Sequence, residues 1–262
     1  MTLLIDLGNT ALKWAPLDRA GAPGPARTEV HRDAGDLQER LSAAWQSAAV
    51  DGPALGCSVA GSEVRGEVER AAASRGLTVH WLAAEAQHTG RIGLRNGYRT
   101  PAQLGADRWH GMLGACVRRP GRSFVLVAAG TATTVDCVQS SGSAADFIGG
   151  CIAPGPRMML EALNQRTAGL PHARGQAVDF PDNTDDAIAT GVADAQAGLA
   201  LRMIERFARR LGHAPEVLVS GGDATHVAGR LREAGVALSI EHNLVLAGLA
   251  LRAQSPDSSA RR

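Results

Sequence analysis

The stretch Leu3-Leu4-Ile5-Asp6-Leu7-Gly8-Asn9-Thr10-Ala11-Leu12-Lys13 is an apolar strand that enters a glycine turn and continues as a second strand. About half a chain later, Val125-Leu126-Val127-Ala128-Ala129-Gly130-Thr131-Ala132-Thr133-Thr134 repeats the plan. One strand–glycine–strand turn is usually no more than a hairpin. Two of them at corresponding places imply two similar halves and hence a duplicated domain. A residue without Cβ reaches left-handed turn conformations cheaply and lets backbone N–H groups approach a phosphate closely, and the hydroxyls of Thr10 and Thr131 can add donors. Neither turn fits G-x-x-x-x-G-K-[ST] or G-x-G-x-x-G, so neither is a P-loop or a dinucleotide fingerprint.

Around these turns the chain alternates strand and helix. Short apolar runs at 54–59, 78–81, 124–127, 133–138, 147–148 and 217–219 read as strands. Leu37, Leu41, Trp45 and Ala48 share one helical face; Val64, Val68, Ala71 and Ala72 share another, ended by Gly76; a long helical stretch follows Thr184. This alternation predicts an α/β fold. Residues 18–25 read as a connector after the first hairpin, and 255–262 as a disordered polar tail.

With 45% hydrophobic and 20% charged residues in 262, the chain can bury a large core. A net charge of +1 gives no footprint for a nucleic-acid backbone or an anionic membrane, so neither is expected as a partner. No apolar run approaches membrane-spanning length and no basic leader precedes the first strand, which points to the cytoplasm. Cys57, Cys116, Cys137 and Cys151 lack metal-site spacing and read as small buried side chains in a reducing compartment; the eight histidines read as scattered over the surface.

Positive charge is carried by twenty-six arginines and one lysine, Lys13, which ends the first turn motif. A position that keeps a compact, rotatable ammonium where guanidinium is the rule needs that shape, and a phosphate is the obvious reason.

Seven collinear segments carry a family resemblance: Asp6-Leu7-Gly8-Asn9-Thr10 with Lys13; Asn96-Gly97-Tyr98 with Pro101 and Leu104; Gly105-Ala106-Asp107-Arg108; Gly130-Thr131-Ala132-Thr133-Thr134-Val135-Asp136; Gly149-Gly150-Cys151-Ile152-Ala153-Pro154-Gly155; Asn183-Thr184; and Ser220-Gly221-Gly222-Asp223. In these the chain resembles the type III pantothenate kinases, relatives of actin, the sugar kinases and the Hsp70 ATPase domain. The resemblance implies two duplicated RNase H-like domains of the actin-like ATPase type, 1–117 and 118–254, with a nucleotide cleft between them. It implies transfer of the γ-phosphate of ATP to pantothenate, the first step of coenzyme A synthesis, by a homodimer.

Carried onto this chain, Asp6, Leu7, Gly8, Asn9, Thr10, Ala11, Leu12 and Lys13 would bind ATP phosphates. Asp6 would also orient magnesium through water, and Thr131 would contact ATP from the second turn. Tyr98, Gly105, Ala106, Asp107 and Arg108 would form the pantothenate pocket, with Asp107 the catalytic base and Arg108 forked toward the carboxylate. Thr184 would add to the substrate site where two subunits meet, and Ser220 to Asp223 would lie by the adenosine. Read as residues alone, Asp107 and Arg108 equally suit a solvated pair at a helix start, and Thr184 suits an N-cap. Gly191 and Gly198 suit close helix packing, at the dimer seam in the family's version.

Two departures stand out. Many family members carry an acidic residue two positions before the second turn, where it helps hold a potassium or ammonium ion; this chain has Ala128. Gly97 replaces a usual proline and loosens its loop. Two other classes compete with the kinase: a non-catalytic regulatory protein on the same scaffold, and another small-molecule kinase. A regulator has no physical need to retain Lys13, Asp107, Arg108 and both turns together.

Overall fold

A computed structural model describes residues 1–31, 35–48, 50, 52–166 and 175–254. The expected disordered tail, 255–262, lies outside the described residues. Two compact units emerge: unit 1 comprises Met1–Gly121, Gly142–Ala145 and the chain from Asn243 on, and unit 2 comprises Arg122–Ser141 and Asp146–His242.

Unit 1 is built on β1 (Thr2–Leu7), β2 (Ala11–Leu17), β3 (Arg27–Val30), β4 (Ala54–Ser58) and β5 (Val79–Trp81), in the spatial order β3-β2-β1-β4-β5. β1 pairs antiparallel with β2 and parallel with β4. Strand alternation sorts the side chains onto two faces. Leu3, Ile5, Leu7, Leu12 and Trp14 pack under α1 (Leu37–Ser47) and α2 (Ser62–Ala73), with Trp14 and Trp45 edge-to-face at 6.4 Å. Leu4, Ala15, Leu55 and Cys57 face the other way and pack with Leu246, Leu249 and Ala250.

That second face is covered by α3 (Ala106–Arg118) and α7 (Leu244–Gln254). The two helices meet backbone to backbone: a Cβ on Gly114 would strike the Leu244 carbonyl, and one on Gly248 would strike that of His110. This packing explains why the chain from Asn243 belongs to unit 1 rather than to a second domain running from 118 to 254. α3 is buried nearly all round, from Arg108 to Cys116. β6 (Gln87–His88) and β7 (Gly93–Asn96) complete the unit as a short antiparallel pair.

Unit 2 repeats the plan. β8 (Phe124–Ala129), β9 (Ala132–Ser140), β10 (Ala144–Pro154), β11 (Glu216–Ser220) and β12 (Ser239–Ile240) lie in the order β10-β9-β8-β11-β12, the first two residues of β10 counting with unit 1. β8 again pairs antiparallel with the strand after its turn and parallel with β11. α4 (Pro156–Arg166), α5 (Thr184–Leu211) and α6 (Ala224–Glu233) accompany it, and Ala197, Ala200 and Phe207 of α5 pack on Val125, Val127 and Val135. The duplication inferred from the two glycine turns is therefore a duplication of sheet topology.

Three expectations need correction. Neither Gly8 nor Gly130 adopts a positive φ; the left-handed glycines near the second turn are Gly149 (φ 142) and Gly221 (φ 102). His31, His88 and His110 are buried rather than on the surface, because strand ends and the enclosed helix α3 carry them inward. Among the described residues, nothing beyond α5's own backbone lies within 4 Å of a Cβ built on Gly191 or Gly198, so no described helix of the same chain packs against them. The four cysteines are free, three of them buried as expected.

Candidate active site

Asp6 falls on the Leu4 side of β1, the side covered by α3. The antiparallel register pairs it with Lys13, and directly opposed residues share a face. On its other side the parallel register pairs it with Cys57, whose Sγ lies 4.0 Å from Asp6 Oδ1. The first turn of α3 brings Asp107 into the same neighbourhood, where it acts electrostatically on both Asp6 and Cys57. Two carboxyls, one ammonium and a thiol thus converge at the end of the first glycine turn.

Burial pushes the Asp6 carboxyl up to about 7; Lys13 pulls it down and Asp107 pushes it further up. Burial likewise raises Asp107, while the Arg108 N–H, donating to its Oδ1 at 2.8 Å, and the Arg108 guanidinium work against the rise. Burial and the two carboxylates hold the Cys57 thiol protonated, so it can only donate toward Asp6. The carboxylate oxygens of the site suit a hard divalent cation such as magnesium. Among the described residues there is no cluster of three or more acidic, His or Cys side chains to hold a metal by itself. That fits a cation whose remaining ligands are water and substrate phosphates.

The turn itself is tight: the Gly8 N–H donates to the Ala11 carbonyl at 3.1 Å. His31, which sequence reasoning passed over, reaches it from the end of β3, with Nε2 at 2.9 Å from the Gly8 carbonyl. The sequence carried no signal for it, since 27–30 shows no apolar alternation that marks β3 as a strand.

Tyr98 and Arg108 are in contact. Arg108 Nη1 donates to the Tyr98 hydroxyl at 2.9 Å, and the guanidinium stands 5.6 Å from the ring centre. The loop before Tyr98 is firmer than Gly97 suggests. Asn96 donates from Nδ2 to the Glu85 and Pro101 carbonyls, and its Oδ1 accepts the Tyr98 N–H. Asp107 is not the cap of α3, since Gly105 takes the N-cap position; a Cβ on Gly105 would lie 2.6 Å from Asp107 Oδ1, so glycine leaves that carboxylate its place.

In unit 2 three segments gather at the second turn. The Gly155 N–H donates to the Thr131 carbonyl at 3.0 Å, and the Asp223 N–H to the Ala129 carbonyl at 3.1 Å. Side chains on Gly155 or Gly221 would strike the backbone of Gly130 or Ala129, so both must be glycine for this approach. Asp223 pairs with Arg157 at 3.3 Å. Ala128 lies opposite Thr134 in the β8–β9 register, and the Oγ1 atoms of Thr133 and Thr134 are buried with no hydrogen-bond partner among the described residues.

Thr184 is the first residue of α5; the cap is Asn183, whose side chain accepts the Asp186 N–H at 2.9 Å. Thr184 lines an apolar groove of about 770 Å³ together with Met158, Leu163, Ile188, Gly191 and Val192.

Comparison with known proteins identifies the family. A model of the family described as type III pantothenate kinase matches residues 2–206. A type III pantothenate kinase of Bordetella petrii is 42% identical over 272 residues, covering 98% of each chain. One of Verminephrobacter eiseniae is 38% identical over 251 residues, covering 94% of each. Among solved structures, component A of the (R)-2-hydroxyglutaryl-CoA dehydratase of Acidaminococcus fermentans shares the fold, with a TM-score of 0.55 at 15% identity over 96% of each chain. With both turns, the Gly-Ala-Asp-Arg segment and near full-length similarity in agreement, the chain belongs to the type III pantothenate kinase family.

Proposed function

We propose that the chain transfers the γ-phosphate of ATP to the primary hydroxyl of pantothenate, with Asp107 as the base that receives the hydroxyl proton. The observation that carries this reading is the convergence of Asp6, Lys13 and Asp107 on one face of the unit 1 sheet. Phosphoryl transfer asks little covalent work of a protein; it needs charge neutralised around the γ-phosphate and an acceptor held in line. Lys13 and the Asn9 N–H of the first turn serve the first need, the Gly8 N–H being taken by the Ala11 carbonyl, and Thr131 adds a hydroxyl from the second turn. Magnesium, oriented by Asp6 through water, would supply further charge neutralisation on the phosphates.

Asp107 orients the pantothenate hydroxyl and takes its proton as the new bond forms, late in a loose transition state. Arg108, held over Tyr98, faces the pantothenate carboxylate with its guanidinium, and Gly105 and Ala106 wall the pocket. Ser220 to Asp223 lie by the adenosine. The exposed small residues of α5 and the groove at Thr184 support a homodimer in which α5 and Thr184 face the partner. Four free cysteines suit a reducing cytoplasm.

ADP release coupled to pantothenate and magnesium ATP tests the reading; folded protein that shows no pantothenate-dependent release overturns it. Lys13→Arg tests the turn. The longer planar fork finds Asp6 directly opposite and pairs with it instead of reaching a phosphate as a point charge. A loss of about tenfold to a hundredfold in kcat/KM for ATP is expected, roughly 1.4–2.8 kcal/mol of transition-state binding. A fully active Lys13→Arg would leave the lone lysine without a role.

Monovalent cation dependence belongs to the same reading. The missing carboxylate at Ala128 leaves carbonyls and the buried hydroxyls of Thr133 and Thr134 as ligands, which are neutral. Potassium or ammonium should still raise the rate, with half-saturation at higher salt than in relatives that carry the acidic residue. Equal rates in sodium and potassium buffers would count against it.

A further inference from the structure

Resting on the reading of the first turn as a phosphate site, we propose that His31 is a positioning residue for ATP, holding the Gly8–Asn9 peptide so that its N–H faces the phosphates. β3 pairs with β2 in a register that sets Val30 opposite Ala11, so the next residue, His31, emerges beside the turn. It grips the turn twice. Its N–H donates to the Thr10 carbonyl at 3.0 Å, and its ring Nε2 lies 2.9 Å from the Gly8 carbonyl. A carbonyl oxygen can only accept, so Nε2 carries the proton. The residue is 7% exposed, which limits water's competition for the same carbonyl.

The consequence follows from the peptide plane. In a trans peptide the C=O of one residue and the N–H of the next point in opposite directions, and the plane turns as a unit. Fixing the Gly8 carbonyl on His31 therefore aims the Asn9 N–H away from His31. Among the described residues no acceptor takes that N–H. Glycine at position 8 makes the hold necessary, because a residue without Cβ leaves this plane free to rotate. Turned over, it would present a carbonyl oxygen to the phosphates and remove a donor. His31 thus contributes to catalysis without touching substrate, by keeping a permissive turn in one of its two peptide orientations.

The test pairs His31→Met, which keeps bulk and drops the donor, with His31→Gln, which restores an N–H donor. In the ADP-release assay His31→Met should raise the KM for ATP about tenfold, with the KM for pantothenate unchanged, and His31→Gln should recover most of the loss. Calorimetric titration should show weakened binding of ADP and unchanged binding of adenosine, which carries no phosphate. The proposal is overturned if His31→Met binds ATP and ADP as the parent does. It is also overturned if both variants lose affinity alike, or if adenosine and pantothenate weaken equally, either of which marks a general packing role. Lys13→Ala, measured alongside, separates the two levels. Intact ATP affinity in that variant removes the phosphate role of the turn, whereas its loss beside an unaffected His31→Met rejects the His31 hold alone.

Discussion

Asp107→Asn should lower kcat by about a hundredfold to ten-thousandfold, the range general-base removal commonly spans, while the KM for ATP changes little. The amide keeps the shape of the side chain and can still accept the Arg108 N–H that Asp107 Oδ1 now takes. It cannot accept the proton of the pantothenate hydroxyl. Stopped-flow or coupled ADP release on both proteins, at saturating ATP, measures the loss. Near-native turnover in the variant would remove Asp107 from the chemistry.

The same substitution carries a pH signature. Burial raises Asp107 above the ordinary carboxylate range, and the base must be ionised to work. Activity should therefore fall as pH drops through this raised value, and that limb should vanish in Asp107→Asn. The stability effect has the opposite sense. A carboxyl whose folded pKa is raised destabilises the fold as pH rises through that pKa, because the folded state then holds a charge it would rather neutralise. Asp107→Asn should accordingly melt no lower than the parent at neutral pH, and a thermal melt separates lost chemistry from lost structure.

Gly248→Ala should be strongly damaging although it lies outside the site, costing about 3 kcal/mol. In an isolated helix the change would gain roughly 1 kcal/mol from propensity. Here the new Cβ would meet the His110 backbone across the α3–α7 contact, and backbone cannot rotate aside as a side chain can. The damage should also reach function, since α3 carries Asp107 and Arg108 at its start. Gly229→Ala in α6 supplies the contrast: among the described residues nothing beyond the helix's own backbone lies within 4 Å of the added carbon, so this variant should be neutral or more stable by up to about 1 kcal/mol. Denaturant melts of the two variants give the difference; equal stabilities would show that α3 and α7 yield easily.

Much of the site was legible because it is local in sequence. Asp6 and Lys13 stand on either side of a short turn, so a hairpin necessarily opposes them, and Gly105 to Arg108 form one turn of chain. Tyr98 and Arg108 are near enough that one loop and one helix start bring them together. Cys57 and His31 were not legible, because each reaches Asp6 or Gly8 through strand pairing, and a strand carries no mark of its neighbour or register. The buried histidines were missed for the same reason. His110 lies on a helix enclosed on all sides, and periodicity cannot register a helix that lacks a solvent face.

The amino-acid sequence by itself determined the two strand–turn–strand motifs, the α/β alternation and the residue types of phosphoryl transfer. All of these rest on periodicity, glycine geometry and side-chain chemistry, which act over a few residues. Only the tertiary structure decided that the C-terminal helix joins the N-terminal unit, that Asp107 raises the proton affinity of Asp6 from across a helix–sheet contact, and that a histidine holds the first turn. Those depend on which surfaces exclude water against each other, and that choice is made by the whole chain at once.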